Sequence, residues 1–214
     1  MKKKRFLIAY GPTRERLDPV RFISNDSTGT MGRYLVEAAR SKRQSVVSVH
    51  CPEEAESALD LQKKLTALLP KSDVLVMVAA VCDARPANVS TTKIGKKALK
   101  TIRLVENPDI LAGLAKRKKK NQVFVGFGIE SGDLLERGFK KLQKKGLDMI
   151  VLQKVSAKER PFGDKKIDAF VLNGQREVWK LPAVGKRRLA RLVIGAAMEL
   201  SLQKSGFAHS DSFC

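Results

Sequence analysis

The chain has 214 residues, enough for one domain with a substantial core, and its 43% hydrophobic content argues against wholesale disorder. Lysine and arginine number 42 against 22 aspartate and glutamate residues; the resulting formal net charge of +20 favours anionic partners such as phosphorylated metabolites, nucleic acid or an acidic membrane. Three widely spaced cysteines and two histidines argue against a disulfide framework and a zinc site and are typical of the cytoplasm, and no apolar window is long enough to span a membrane.

Short apolar runs alternate with helical patterns in the first half of the chain. We predict strands at residues 6–10, 45–49 and 74–80, and helices at 30–42 and 53–69. The run at 74–80 is continuously apolar, which is typical of a central parallel strand covered on both faces.

The polar, basic stretch from residue 83 to 100 has no clean period and contains Pro86 and Gly95. We therefore expect a long mobile active-site loop at about 84–100. Beyond it, the patterns predict strands at 102–105, 123–127, 149–152, 167–172 and 178–181, and helices from Pro108 to about 117, at 133–145 and at 187–202. The strands at 167–172 and 178–181 are expected to form an antiparallel hairpin at a sheet edge.

This alternation predicts an α/β fold in a single domain covering residues 1–214. We expect a Rossmann-like, doubly wound, mostly parallel sheet with an antiparallel edge extension. Ligands of such sheets bind beyond the carboxyl ends of the strands. The functional residues should therefore follow the strands, from Gly11 onward, at 79–83, at 107–111 and from Gly126 onward.

A polar loop rich in turn-forming residues follows the first predicted strand and leads into a helix. Ser27, Thr28 and Gly29 are small enough to let backbone N–H groups approach an anion at the helix start. The loop lacks both the Gly-Lys-Ser/Thr of a Walker loop and the Gly-x-Gly-x-x-Gly of a dinucleotide fold. An ordinary helix cap by Ser27 or Thr28 explains the same residues equally well.

Three motifs in this region resemble the opening of phosphopantothenoylcysteine synthetase, the amide-forming ligase of coenzyme A biosynthesis: GPTRE at 11–15, LDPVRFISN at 17–25 and STGTMG at 27–32. The resemblance continues, in order, through AAVCDARP at 79–86, KIGKK at 93–97, NPDIL at 107–111, GF at 126–127 and FG at 162–163. It covers nearly the whole chain, and its first part is long and specific.

The resemblance implies a cytoplasmic homodimer that catalyses a two-step ligation. The carboxylate of 4′-phosphopantothenate attacks the α-phosphate of CTP, pyrophosphate leaves, and the amine of L-cysteine then attacks the acyl-cytidylate. Since the first two reactants are anions, the site has to concentrate positive charge, usually with Mg²⁺.

The resemblance also implies roles for individual residues. Lys93, on the mobile loop, would neutralise the transferring phosphate, and Asn25 would hold the acyl-nucleotide and donate to its oxyanion. Arg21 would pair with phosphate or carboxylate, and Asp83 would bind Mg²⁺ or the sugar hydroxyls. Substrate contacts are expected from Arg21, Asn25, Ser27 and Gly29. Each residue also has an ordinary structural explanation when taken alone. Lys93 fits a solvated loop lysine and Asn25 an Asx turn, while Arg21 fits a surface ion pair and Asp83 a turn cap.

Further nucleotide contacts are implied along the chain. They comprise the backbone of Met77, Val78 and Ala79, the segment Pro108, Asp109, Ile110 and Leu111, the side chain of Phe127, and a triphosphate clamp formed by Lys141 and Lys145. The two clamp lysines are four residues apart, on one face of a predicted helix. A core aromatic and a basic helix surface are the competing explanations for Phe127 and the lysines.

Several positions depart from the family pattern. Thr30, Ala84 and Gln153 stand where the family usually has lysine, tyrosine and asparagine, and GFGIES at 126–131 replaces the more common GFAAET. These departures leave open whether substrate affinity and nucleotide choice match the family's, but Arg21 and the other principal residues are in place.

Two other classes of protein fit parts of the sequence. A nicotinamide-dependent oxidoreductase would share the sheet, but the missing glycine fingerprint weighs against it. A basic nucleic-acid-binding protein would explain the charge and the run KRKKK at 116–120, but stacking aromatics are scarce and no known binding motif is present, so we expect no specific nucleic-acid binding.

Overall fold

The computed structural model describes residues 3–130, 132–155 and 163–206. Its strands are β1 (Arg5–Tyr10), β2 (Arg14–Arg16), β3 (Phe22–Ser24), β4 (Ser45–His50), β5 (Val74–Met77), β6 (Ala84–Pro86), β7 (Leu104–Glu106), β8 (Val123–Glu130), β9 (Met149–Lys154), β10 (Ile167–Asn173) and β11 (Val178–Val184). Its α-helices are α1 (Thr30–Ser41), α2 (Ala58–Leu68), α3 (Ile110–Ala115), α4 (Leu134–Lys144) and α5 (Lys186–Gln203).

Seven strands form the central sheet in the order β11-β10-β9-β8-β5-β1-β4. The five from β9 to β4 are parallel, while β10 and β11 extend the sheet as an antiparallel hairpin. From β1 the chain first adds β4 on one side and then β5, β8 and β9 on the other, so the strand order reverses between β1 and β5. The Rossmann-like, mostly parallel fold with an antiparallel edge is thus confirmed, and its switch point lies at the β1–β5 crevice.

The core consists of two apolar layers, one on each face of the sheet. Helices α1 and α5 cover the face that carries Phe6 and Ile8, and α2, α3 and α4 cover the face that carries Leu7 and Ala9. These four side chains are at most 1% exposed, as the alternation of a doubly covered strand requires. Each large apolar side chain buried in this way contributes about 1.5–3 kcal/mol.

Glycine lets α1 approach β1 closely. A Cβ atom on Gly32 would lie 2.0 Å from the Cβ of Tyr10, far inside contact distance. Gly29, immediately before the helix, has a φ of 67°, which side chains other than glycine rarely adopt. The start of α1 is therefore held close to the end of β1 and the switch point.

Four predicted boundaries are wrong. The second helix begins at Ala58 and not at residue 53, because Ser57 and Asp60 form a capping box. The apolar strand at 74–80 ends at Met77, beyond which only an isolated bridge joins Pro12 to Ala80. The strand predicted at 102–105 runs from Leu104 to Glu106 and pairs with Ala84–Pro86, so part of the predicted loop is a strand.

The third helix begins after Pro108 and not at it. Asp109 is its N-cap and accepts a hydrogen bond from the backbone N–H of Ala112, and the helix ends at Ala115. No helix among the described residues is long and apolar enough to cross a membrane.

The outermost strand, β11, is irregular near its end. Its register against β10 shifts between Ile167 and Ala169, and Ala183 has a φ of 47°. Pro182 lies in the same stretch. Proline has no backbone N–H to donate to a second neighbouring strand, so it is tolerated here because β11 is an edge strand.

Candidate functional site

The backbones of β1 and β5 stay together beyond the ends of the strands. Val78 N–H donates to Ala9 C=O, and Ala80 N–H donates to Gly11 C=O, both at 2.9 Å. Met77 is buried, while Val78 and Ala79 are partly exposed. These three predicted nucleotide contacts therefore lie at the carboxyl end of the strand beside the switch point, where the fold places ligands.

Three side chains fix the backbone of the segment that follows. Thr13 Oγ1 accepts the N–H of Cys82 at 3.0 Å, Asn25 Nδ2 donates to Val81 C=O at 2.8 Å, and Asn107 Nδ2 donates to Cys82 C=O at 2.9 Å. Asp83 follows directly and is exposed. Asn25 and Asp83, predicted separately, thus belong to one site. Since an amide has two N–H donors and an acceptor, Asn25 has one donor and its oxygen left for a ligand.

A second group of contacts surrounds the carboxylate of Asp18, whose side chain is 0% exposed. The carboxylate accepts the backbone N–H groups of Val20, Arg21 and Ile94 at 2.8, 2.9 and 3.1 Å. Arg21 Nη2 pairs with the same carboxylate at 2.8 Å and donates to Ile94 C=O at 2.6 Å. Both the N–H and the C=O of Ile94 are therefore hydrogen-bonded. Lys93, which is exposed on the predicted mobile loop, directly precedes this residue.

The ionisation of Asp18 reflects this environment. Burial by itself would raise the pKa of the carboxyl, but the N–H groups of Ile94, Val20 and Arg21, together with the charge of Arg21, outweigh it. The net result is a pKa below the ordinary value, because hydrogen bonds to the charged form stabilise it. Asp18 is therefore an anion at neutral pH and a suitable partner for Arg21.

The four principal residues form two pairs, one at each end of strand β3. Arg21 precedes this strand and Asn25 follows it, so their Cα atoms are about 13 Å apart at the rise of an extended chain. Arg21 contacts Ile94, the residue after Lys93, and Asn25 contacts Val81, two residues before Asp83. These backbone contacts link Lys93 with Arg21 and Asp83 with Asn25, and a shared contact of all four side chains with one ligand stays a prediction.

The start of α1 differs from the ordinary cap that the sequence also allowed. Its N-cap is Gly29, and no side chain caps it. Ser27 Oγ instead accepts the N–H of Gly29 at 3.4 Å, and the hydroxyls of Thr28 and Thr30 share a hydrogen bond of 2.8 Å. Ser27 and Gly29 thus lie at the carboxyl edge of the sheet, but their substrate contacts stay a prediction.

Both lysines of the predicted triphosphate clamp have carboxylate partners. Lys141 pairs with Glu130, which is only 6% exposed, and Lys145 pairs with Asp109 at 3.3 Å. Asp109 also caps α3, so this pair connects two of the predicted nucleotide segments. Each ammonium has three N–H donors, so a bound triphosphate could share the lysines with these carboxylates or replace them.

The apolar residues predicted to contact nucleotide serve largely as core. Ile110 and Leu111 are buried between α3 and the sheet, and Phe127 is partly buried against the layer formed by α1 and α5. Pro108 is partly exposed just before the α3 cap. Two residues of the resemblance, Ser131 and Phe162, lie outside the described residues.

Asp83 is an exposed carboxylate at this end of the sheet that could contribute to binding Mg²⁺. The described residues contain no group of three or more His, Cys, Asp and Glu side chains that could hold a metal ion. Mg²⁺ is commonly held by one or two carboxylates together with substrate phosphates. A single exposed aspartate therefore fits a metal that binds together with a triphosphate.

Four residues that build the site had no predicted role: Thr13, Asp18, Asn107 and Glu130, although the first three lie in the quoted motifs and Asn107 lies in the segment 107–111 that was expected to be functional. Asp18 had a recognisable signal, since Asp-Pro marks a turn in which the carboxylate accepts backbone N–H groups. The other three depend on neighbours distant in sequence, and their residue types alone do not reveal them.

The chain matches the family model "DNA/pantothenate metabolism flavoprotein C-terminal domain" over residues 1–200. It belongs to this family. The resemblance to phosphopantothenoylcysteine synthetase is thereby confirmed at the level of the family.

Two bacterial relatives carry the name coenzyme A biosynthesis bifunctional protein CoaBC. The Vibrio cholerae protein is 35% identical over 207 residues, covering 89% of this chain and 51% of its own length. The Escherichia coli K12 protein is 33% identical over 211 residues, covering 91% and 51%. The chain thus spans about half the length of these curated relatives.

Solved structures have the same fold. The C-terminal domain of a CoaBC protein superposes with a TM-score of 0.74 at 30% identity, covering 95% of this chain and 99% of that domain. A Cab2 variant in complex with phosphopantothenate-cysteine superposes with a TM-score of 0.68 at 15% identity, covering 95% of this chain and 88% of that chain.

Proposed function

We propose that this protein joins 4′-phosphopantothenate to L-cysteine through an acyl-cytidylate derived from CTP. The observation that carries the proposal is the pairing of Asn25 with the 81–83 backbone beside Asp83, at the carboxyl edge of the switch point. Membership of the family and the likeness to a CoaBC C-terminal domain support the same activity.

The 81–83 end of the site suits the first step. Thr13 and Asn107 hold the backbone there, so the remaining amide hydrogen of Asn25 needs little reorganisation to meet an oxyanion. Its partner atoms are the phosphoryl oxygens that gain charge as the pantothenate carboxylate attacks and pyrophosphate leaves. Asp83 would hold Mg²⁺, which supplies neutralising charge to the triphosphate when bound.

The Arg21 end supplies cations. Arg21 Nη2 is occupied by Asp18 and Ile94, so this group mainly orients the loop, while the ammonium of Lys93 is exposed and available to a phosphate. Arg21 and Asn25 have Cα atoms about 13 Å apart at the rise of an extended chain, so we propose that loop movement or a second copy brings Lys93 to the phosphate that Asn25 contacts. A homodimer with a shared site satisfies this requirement.

The second step needs the amine of L-cysteine at the acyl carbon of the intermediate. The same Asn25 donor would stabilise the tetrahedral oxyanion that forms as the amine attacks, and CMP then leaves. Exclusion of water before cysteine arrives protects the reactive anhydride, and the 84–100 loop is the segment placed to provide it.

The decisive experiment incubates the protein with phosphopantothenate, Mg²⁺, cysteine and, separately, CTP, ATP, GTP or UTP. Pyrophosphate release and the mass of the product are measured in each reaction. We expect stoichiometric pyrophosphate and phosphopantothenoylcysteine with CTP. Product formed only with ATP would overturn the nucleotide assignment, and no amide product with any triphosphate would overturn the ligase proposal.

Asn25→Asp tests the residue that carries the proposal. The added carboxylate would repel phosphate and the acyl-nucleotide, so we expect product formation to fall by about 10²–10³-fold. Asn121→Asp, the same change at an exposed position outside the site, is the matched control and should retain activity. Full turnover in Asn25→Asp would remove Asn25 from the mechanism.

A further inference from the structure

The positive charge of the protein is concentrated on the edge of the sheet where the parallel strands begin. This basic edge comprises residues 3–5, 42–44, 69–73, 116–122, 144–148 and 203–206, which precede the parallel strands or follow α5. It contains fourteen lysines and arginines but only two acidic residues, Asp73 and Asp148. The net charge of these six short segments is therefore +12, more than half of the +20 of the whole chain.

Helix ends explain part of this charge. All five helices end at the basic edge, where their carbonyl groups carry partial negative charge. Lys4, Lys118 and Lys119 donate to the carbonyl groups of Ser201, Gly146 and Pro70 at 3.2, 2.8 and 3.1 Å. These lysines therefore have a structural role.

The two acidic residues are also neutralised. Asp73 pairs with Arg5 at 2.8 Å, and Asp148 pairs with Lys118 and Lys204 at 2.7 and 2.6 Å. What remains is a set of exposed cations for which the described part of the chain provides no ion-pair partner: Lys3, Lys42, Arg43, Lys71, Lys116, Arg117, Lys120 and Lys144. Carboxylates do not account for this surplus, and the helix ends beside Lys42, Lys116 and Lys144 account for only part of it.

We propose that the basic edge binds the phosphate backbone of a nucleic-acid duplex without reading its sequence. The edge spans five parallel strands, about 19 Å at the usual strand spacing. A duplex presents about 11 phosphate charges over that length, comparable with the surplus of cations.

The chemistry of the edge favours a duplex over the other polyanions. Its segments contain no aromatic residue, which a single strand would need for base stacking. None of the large apolar side chains exposed elsewhere lies in these segments, so nothing there would insert into a membrane. Lysines and arginines alone are what sequence-independent contact with a phosphate backbone requires.

This binding would be separate from the proposed ligase reaction. The basic edge and the 81–83 end of the candidate site lie at opposite ends of the same strands, so a duplex on one leaves the other open to small substrates. Lys145, which lies in a basic-edge segment and pairs with Asp109, also belongs to the predicted triphosphate clamp and is therefore left unchanged in the test below. Neither proposal depends on the other.

The test measures fluorescence anisotropy of a labelled duplex of about 20 base pairs, as DNA and as RNA, over a series of salt concentrations. We expect a Kd of about 10⁻⁴–10⁻⁶ M near physiological salt for both duplexes and a steep loss of affinity as salt rises. Sedimentation with phosphatidylserine vesicles is measured in parallel. Binding to vesicles but to neither duplex would overturn the proposal.

A triple variant locates the binding. Lys71→Gln, Lys116→Gln and Lys120→Gln together remove three surplus cations, and we expect the slope of log K against log salt to become shallower by about 2.7. The control removes three exposed cations far from this edge, with Lys180→Gln, Arg188→Gln and Arg191→Gln, and should change the slope by less than about 1. Equal changes in both variants would assign the binding to overall charge and refute a defined surface.

Discussion

The carboxylate of Asp18 accepts the backbone N–H of Ile94 at 3.1 Å, across 76 positions of sequence. This hydrogen bond, with the Arg21 contact to Ile94 C=O, attaches the loop that carries Lys93 to the turn before β3. Ser90 N–H adds a third attachment, to Leu17 C=O at 2.9 Å. Lys93 thus extends from a held backbone, although its own side chain is exposed.

Replacing Asp18 with asparagine should release this loop. The amide keeps the size of the carboxylate but loses its charge and one acceptor, so Ile94 and Arg21 lose their shared partner. We expect faster hydrogen exchange at residues 90–97 and a kcat lower by about 10–100-fold, with a smaller change in KM. Asp73→Asn, which removes another ion-paired aspartate at the far edge, should leave both quantities unchanged; equal effects in the two variants would contradict the role of Asp18.

Acid should weaken the same attachment. The pKa of Asp18 is lower in the folded protein than its ordinary value of 3.8, so folding favours the anion. The stabilisation is therefore complete above about pH 4 and is lost as pH falls through the lowered folded pKa. Urea unfolding at pH 6, 4, 3 and 2.5 should show this loss in the wild type and less of it in Asp18→Asn. Identical acid dependence in the two proteins would show that Asp18 is not a source of it.

Lys93→Gln should slow transfer of the nucleotide while the fold persists. The substitution removes one positive charge from the reacting phosphate, and we expect pyrophosphate release to fall by about 10²–10³-fold. Lys97→Gln is the matched control, an exposed lysine of the same loop to which no role is assigned. The measurement is single-turnover pyrophosphate release; full activity in Lys93→Gln would remove this lysine from the mechanism.

Mixed dimers should reveal whether two chains share a site. If Asn25 of one chain works with Lys93 of the other, a hybrid of Asn25→Asp and Lys93→Gln subunits contains one intact site. Random mixing should then restore about a quarter of wild-type activity. The measurement is activity after the two inactive variants are unfolded and refolded together, with each refolded alone as control. No recovery, with hybrid dimers verified by mass spectrometry, would place both residues in one chain.

Two glycine substitutions should affect stability in opposite directions. Gly32→Ala would place a methyl group 2.0 Å from Tyr10 Cβ, forcing α1 away from β1, and we expect a loss of about 3 kcal/mol or more. Gly195→Ala, within α5 and with no atom within 4 Å of the added methyl, should instead stabilise by about 0.5–1 kcal/mol. Urea unfolding measures both. Equal stability of the two variants would contradict the close approach of α1 to β1.

Much of the fold could be predicted because its elements carry strong local patterns. Burial on the two faces of the sheet requires the apolar runs of β5 and β8 and the helical period of α1. Because this requirement affects consecutive residues, the sequence alone shows it. The edge hairpin was equally accessible, since two short strands flank a turn at Gly174.

The failures have local physical causes. Residues 53–57 do not join α2 because Glu53 and Glu54 bind the end of β4: Glu53 contacts His50 Nδ1 at 3.1 Å, and Glu54 accepts the N–H of His50 at 2.8 Å. Their helical spacing is real, but these local contacts with the end of β4 and the capping box at Ser57 start the helix later. Strand β6 is too short for its alternation to be recognised and forms only because β7 pairs with it.

The family motifs predicted which residues belong to the candidate site, but they did not predict its geometry. Asn25, Asp83 and Lys93 could each be selected by resemblance, but their division into two pairs depends on the length of β3 and on the Asp18 contacts. Glu130 could not be selected at all, because its importance comes from a burial that only the assembled sheet creates.

Pro182 has a consequence for the behaviour of the protein in concentrated solution. Proline offers no N–H, and the bulge beside it bends β11, so this border of the sheet is a poor template for another strand. Uncontrolled stacking of copies into fibrils is thereby opposed on that side. Changing Pro182 to a β-branched residue would remove this protection.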